Sequence, residues 1–342
     1  MAFRLTLLLA IIFSVLSASC ASFTPRAIPG CLSVGGLPGP EDFVLDTFSS
    51  RTPRLLVSTQ ERRVLDPAGE VMEPGAIMAV ELRRDGVRAA EILPLENRDD
   101  LPFHPHGMDI VDTERGVFLY VINHALSTMH VIEIYRVERK RLVFTGRLRS
   151  DLLISPNDLV ALPDGQLFVS NDHGVRSGFW QFVGDALSLG WSNVVHYHPA
   201  SDRFRVAADG IAFANGVEVR DDRLYVSATL DEGIHVYRFD RLSGDVLNKV
   251  DFFDVGSGLD NLMWERDMVL NTTGHPDLFA FLDHVESSAN HSPSEVFRIY
   301  TDTGRVERTF ADSGQLIDAA STALYYEGRQ YISQVFDPEL VY

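Results

Sequence analysis

One pattern recurs six times along the chain and constrains the fold more than any other feature. A polar residue opens a short alternating run, a turn follows, and a second apolar run returns. NDLVALPDGQLFVSNDH (157–173) and NGVEVRDDRLYVSATLD (215–231) show it most plainly. DNLMWERDMVLNTTGHP (260–276), STALYYEGRQYISQVFD (321–337), HGMDIVDTERGVFLYVINH (106–124) and, more loosely, EDFVLDTFSSRTPRLLVSTQ (41–60) repeat it. Short alternating runs bounded by Gly, Pro, Asn and Asp read as strands, and a unit recurring every few tens of residues reads as a repeat architecture. The units begin at Glu41, His106, Asn157, Asn215, Asp260 and Ser321. Most intervals between them hold about four strands, which predicts an all-β fold, a six-bladed β-propeller closed by radial repetition. The propeller domain is expected over residues 31–342.

In such a fold the first residue of each unit starts the innermost strand, at one mouth of the central channel. One polar strand start is ordinary turn chemistry; six in register converge on a single ring. Glu41, Asn157, Asn215, Asp260 and the adjacent Asn261 offer only oxygen donors. Carboxylate and amide oxygens without Cys or clustered His suit calcium over zinc or copper. The second residues of two units add Asp42 and Asp158, on the opposite side of the strand. Two more carboxylates balance a second calcium, with the Met108 carbonyl placed to fill its shell.

The stretch FHPHG sets His104 and His106 two positions apart, facing the same way on an extended chain. His106 belongs to the ring, so the pair reads as half a metal site, a catalytic pair or neither, and His104 is expected to support it or face solvent. His124, at the end of GVFLYVINH, lies one hairpin away and within reach of His106. His275 in TTGHP is expected to line the pocket, in preference to His198 and His235. His173 in SNDHG falls beside the site.

The formal net charge of −18 argues against nucleic acid or an anionic membrane as partner. The first residues, MAFRLTLLLAIIFSVLSASCASF, have the form of a secretory leader over 1–21: Arg4, an apolar run from Leu5 to Leu16, then small residues to Ala21. No further charge appears before Arg26, so an uncleaved anchor is the alternative. The expectation is a secreted or membrane-anchored protein. Asn271-Thr272-Thr273 and Asn290-His291-Ser292 are glycosylation sequons, the second in a polar stretch suited to a surface loop. Residues 174–192 are apolar and aromatic, suiting a pocket lid or a surface for membrane or lipid.

GPEDF, FHPHG, VINH, PNDLVAL, SNDHG, FANG and LDNL, in this order, resemble the paraoxonase family from about Cys31 to the C-terminus. The resemblance implies a calcium-dependent arylesterase and lactonase, acting on a small-molecule ester or lactone. It implies a catalytic calcium on Glu41, Asn157, Asn215, Asp260 and Asn261. It also implies a structural calcium on Asp42, Asp158 and the Met108 carbonyl, and a dyad of His106 and His124. One feature departs from the family, which joins its N-terminal Cys, here Cys31, to a Cys in the last strand. This chain ends DPELVY, so the propeller closes non-covalently or Cys31 pairs with Cys20 of a retained leader. Two other readings fit the same pattern: a sugar-lactone hydrolase of the gluconolactonase type, and a non-enzymatic propeller whose loops bind a partner.

Overall fold

The computed structural model describes residues 23–28, 30–64, 73–126, 128–174 and 190–342. The leader with Cys20, and most of the apolar stretch 174–192, lie outside the described residues. Six antiparallel sheets follow one another along the chain. Their innermost strands are Pro40–Asp46, Pro105–Thr113, Pro156–Ala161, Ala214–Arg220, Gly258–Arg266 and Ala320–Tyr326, opening blades 1 to 6. The blades have four strands in essence. Blade 2 gains Leu95–Glu96, which pairs in parallel with the outer strand Arg141–Arg149. In blade 1 the outer position is shared by two short strands, Gly86–Val87 and Glu91–Ile92.

The apolar alternation of each blade fills six separate clusters, one between each pair of neighbouring blades. Val160, Phe168 and Val194 of blade 3, for example, meet Val217, Leu224 and Val226 of blade 4. Val296 and Phe310 of blade 5 meet Ala323 and Ile332 of blade 6. Closure is non-covalent, in line with the missing C-terminal cysteine. Strand Ser33–Gly35 becomes the outermost strand of blade 6, with Ser33 opposite Val341 and Gly35 opposite Glu339. Leu32 and Tyr342 exchange two backbone hydrogen bonds of 2.9 Å, and Cys31 is a free thiol.

One local device recurs in all six blades. The register between first and second strands slips at Pro40/Asp42, Pro105/Met108, Pro156/Leu159, Ala214/Val217, Leu259/Leu262 and Ala320/Ala323. A bulge releases residues from the ladder and re-aims their side chains. Here it releases the residues that begin each repeat. Freed backbone groups need other partners, and second-strand hydroxyls supply them. Asp42 N–H donates to Ser58 Oγ at 3.2 Å, Asp158 N–H to Ser170 Oγ at 3.0 Å and Thr322 N–H to Ser333 Oγ at 3.1 Å. At two bulges only glycine fits. A Cβ on Gly107 would lie 2.3 Å from the Asn157 carbonyl oxygen, and one on Gly216 would lie 2.5 Å from the Leu262 nitrogen.

Candidate active site at the channel mouth

The bulges bring Glu41, Asn157, Asn215, Asp260 and Asn261 together, each nearly or fully buried. The amide NH2 groups are tied back. Asn157 Nδ2 reaches Asp172 Oδ2 at 3.4 Å, Asn215 Nδ2 reaches Thr229 Oγ1 at 3.4 Å, and Asn261 Nδ2 reaches Glu41 Oε1 at 3.0 Å. The oxygens are left over. Glu41 Oε2, Asn157 Oδ1, Asn215 Oδ1 and Asn261 Oδ1 are buried without any hydrogen-bond partner. An unpaired buried acceptor is costly, about 1–3 kcal/mol each, and four blades supply one apiece. Burial raises both carboxylates, Glu41 and Asp260, above their ordinary values. An oxygen-only donor set of two carboxylates and three amides fits a hard divalent cation of calcium's kind.

Asp42 and Asp158, also buried, do something the sequence does not announce. Asp42 Oδ2 accepts from Met108 N–H of the next blade at 2.8 Å, and Asp158 Oδ2 accepts from Val217 N–H of the next blade at 2.8 Å. Asp109 repeats the contact with Ala161 N–H at 2.8 Å. Each carboxylate thus stitches one blade to its successor. Met108 meets Asp42 through its N–H. Burial raises Asp42 and Asp158 well above the usual carboxylate range, and the charge of Asp158 pushes Asp42 further.

The histidines gather in blade 2. His106 Nε2 lies 3.8 Å from Glu41 Oε1. Burial first, then the positive charge of Arg62, pushes His106 down to about 3, so it stands as a neutral imidazole with a lone pair. His124 packs edge-on against it, ring centres 5.0 Å apart. The Nδ1 of His124 does not face His106; it lies 2.8 Å from Nδ1 of His130. His104 supports the group, with Nδ1 3.0 Å from the His124 carbonyl. His275 joins the ring, its Nε2 3.0 Å from Asp260 Oδ2. His173 stands beside Asp172 and packs against Phe213. His198 and His235 belong elsewhere, bonded to the Leu242 carbonyl and to Asp231.

Sequence reasoning missed Asp172, Arg62 and His130. Arg62 is half-buried and gives its N–H groups to carbonyls of Gly39, Gln60, Val335 and Pro105, joining blades 6, 1 and 2. Phe281 packs on His275 at 4.5 Å and Phe336 lies beyond it, giving this side an apolar wall. Outside the ring, ligand atoms of His284, Asp318 and Asp337 also approach within 4.8 Å. Arg63 already occupies that cluster, 2.8 Å from both Asp337 Oδ1 and His284 Nε2. A guanidinium in that position makes it a charged clamp and leaves no room for a cation.

A sequence model of the arylesterase family matches residues 68–341, most of the chain. The chain belongs to the arylesterase family. Among curated members it is 30% identical to serum paraoxonase/arylesterase 2 of Gallus gallus, over 77% of this chain and 75% of that one. It is 28% identical to serum paraoxonase/arylesterase 1 of Rattus norvegicus, over 92% and 88%, an alignment that spans most of both chains. Among solved structures, a gluconolactonase of Xanthomonas campestris superposes with a TM-score of 0.50 at 15% identity, covering 92% of this chain and 97% of its own. A luciferin-regenerating enzyme superposes at 0.54 with 10% identity, covering 91% and 95%. At these identities the two structures speak for the propeller fold alone.

Proposed function

We propose that this family member is a calcium-dependent esterase and lactonase acting on uncharged aryl esters and lactones. The observation that carries the metal is the set of four buried oxygens without a hydrogen-bond partner at the innermost-strand starts. Family membership supports the reaction. Glu41, Asn157, Asn215, Asp260 and Asn261 would hold the catalytic ion. Asp42, Asp158 and the Met108 carbonyl would hold a second, structural one. Bound in the ring, calcium would supply Lewis-acid polarisation for a carbonyl oxygen.

The chain's own groups do the rest. His106, neutral and at the mouth, takes a proton from the attacking water, and the carbonyl carbon gains the water oxygen. The acyl C–O bond then breaks, and the proton returns from His106 to the leaving oxygen. A lactone so opened leaves as a hydroxy acid. Phe213, Phe281 and Phe336 offer an apolar rim, which favours apolar esters and lactones over polar sugar lactones.

The test is hydrolysis of phenyl acetate and of aliphatic lactones of graded length, with and without excess chelator. Activity that survives chelation while the metal is shown to be gone would overturn the calcium reading. Faster turnover of gluconolactone than of every aliphatic lactone would favour the sugar-lactone alternative.

The leader supports secretion or membrane anchorage, and the leader with residues 174–192 supports contact with lipid. Asn290 is exposed and suits a glycan, whereas Asn271 is fully buried within a strand. An electrophoretic shift removed by both glycosidase and Asn290→Gln is expected. A cytosolic, unglycosylated product with its N-terminus intact would count against this placement.

A further inference from the structure

His130 is the second residue of strand Met129–Glu138, which pairs with Gly116–Leu126 of the same blade. The register slips between Met129 and Val131, and that irregularity frees His130 from the regular alternation. Its ring stands at 86° to that of His124, with centres 4.7 Å apart and the two Nδ1 atoms 2.8 Å apart. Two ring nitrogens at that distance share one proton: one donates and the other accepts. Beyond His130 lies an open cleft of about 380 Å³ lined by Thr128, Met129, Arg149, Ser150 and Asp151.

The direction of that hydrogen bond decides what the dyad can do. Suppose His130 donates. His124 then keeps its own proton on Nε2, the only nitrogen left to meet His106, and offers a donor there. That donor would occupy the lone pair His106 needs as a base. Suppose instead His124 donates from Nδ1. Its Nε2 then carries a lone pair, His106 keeps its inner proton, and the outer lone pair of His106 is free for water. We propose that His130 is a positioning residue that accepts the Nδ1–H of His124 and so fixes the tautomer the His106–His124 pair requires. The arrangement follows the general logic of a base oriented by a third group. It rests on the reading of His106 as the base.

Ring-nitrogen NMR of the calcium-supplemented protein tests the tautomer without any substitution. His124 is expected as the Nδ1–H form. His130→Leu should shift it toward Nε2–H and lower kcat on an aliphatic lactone about 10–100-fold, with KM changed by less than about twofold. His130→Asn, whose side-chain oxygen can accept in place of Nδ1, should recover most of the loss. An Nε2–H form in the unaltered protein overturns the proposal. So does a kcat within about twofold of the parent in folded His130→Leu, or an Asn variant no better than the Leu variant. His106→Gln separates the two readings. If it keeps full lactone turnover while His124 still holds the Nδ1–H form, the base reading falls and takes the catalytic role of His130 with it. If it abolishes turnover and His130→Leu does not, only the inference about His130 falls.

Discussion

Two buried glutamates, Glu41 at the channel mouth and Glu133 in the body of blade 2, are treated in opposite ways. Burial alone would raise Glu133, but hydrogen bonds from Arg98 and Tyr135 and the charge of Arg98 bring it below its ordinary value. Arg98 Nε lies 2.8 Å from one oxygen, and Arg147 NH2 2.9 Å and Asn123 Nδ2 3.0 Å from the other. Every lone pair that matters is occupied. At Glu41 burial wins, and one oxygen has no partner. Arg62 is close enough to act through its charge, yet its N–H groups go to backbone carbonyls. The fold therefore neutralises a buried carboxylate completely where the role is structural. At the mouth it stops short, leaving a charge that the proposed calcium would balance.

The strongest way to break this contrast is to remove a ligand of the proposed ion. Asp260→Ala or Asn157→Ala should lower kcat/KM by about 10³-fold or more on lactone and aryl ester alike, since oxyanion stabilisation is common to both. Calcium content is measured in parallel. A variant that loses the ion but keeps its rate would mean that the ring is not the catalytic centre.

Stability separates the two glutamates more directly. Glu133→Gln leaves Arg98 and Arg147 without a buried counter-charge and should cost about 3–5 kcal/mol, with or without calcium. Glu41→Gln removes an uncompensated buried carboxylate, so in excess chelator it should raise Tm. With calcium present it should lower Tm, because the ion has lost a ligand. The parent protein itself should melt lower in chelator. Thermal melts of the three proteins in both media decide the matter. Equal destabilisation by both substitutions in chelator would end the comparison.

The dyad is expected to matter less than the metal, and unequally between substrates. His106→Gln leaves the oxygen ring intact and removes the group that moves the proton. An alkoxide leaving from a lactone needs that proton more than a phenolate does. The loss should be about 10²-fold or more for the lactone and smaller for the aryl ester. Similar losses for both would place His106 in architecture around the ion.

Much of this was legible in the sequence, and the reason is periodicity. Every repeat start falls within the first three residues of an innermost strand, because apolar alternation and turn residues are local signals. The clustering of ring residues followed from register alone. What stayed hidden depends on contacts between distant segments. The bulge at each strand start is invisible in composition, as is the slip that swings His130 onto His124. Arg62 reads as one half of an Arg-Arg pair in a polar loop, and only the meeting of three blades makes it a half-buried cation beside Glu41. Asp42 and Asp158 were visible as paired carboxylates, but their hold on the next blade's N–H groups was not. The closing strand Ser33–Gly35 is too short to declare itself.

His196 extends the comparison to a buried base that has every partner it needs. It is fully buried in blade 3, with Nε2 2.9 Å from Gln166 Oε1 and Nδ1 3.3 Å from Arg205 NH2. Arg205 can only donate, so Nδ1 accepts and Nε2–H donates to Gln166. Burial first, then the charges of Arg205 and His198, pushes its pKa down to about 4, against about 6.5 in an unfolded chain. Above about pH 6.5 both states are neutral and the full stability is present. As pH falls from about 6.5 to 4, the unfolded chain takes a proton that the native state refuses, so stability declines across that window. Below about 4 both forms are protonated and this contribution has no further slope. His196→Gln, which retains a donor for Gln166, should therefore flatten the fall of Tm between about pH 6.5 and 4 by a few degrees, with little change at pH 7.5 and none in the calcium dependence. A variant whose Tm falls as steeply as the parent's would show that other groups carry the acid response. A variant with altered calcium dependence would show that blade 3 and the mouth are coupled, and that the line drawn between Glu133-like and Glu41-like sites is not a real boundary.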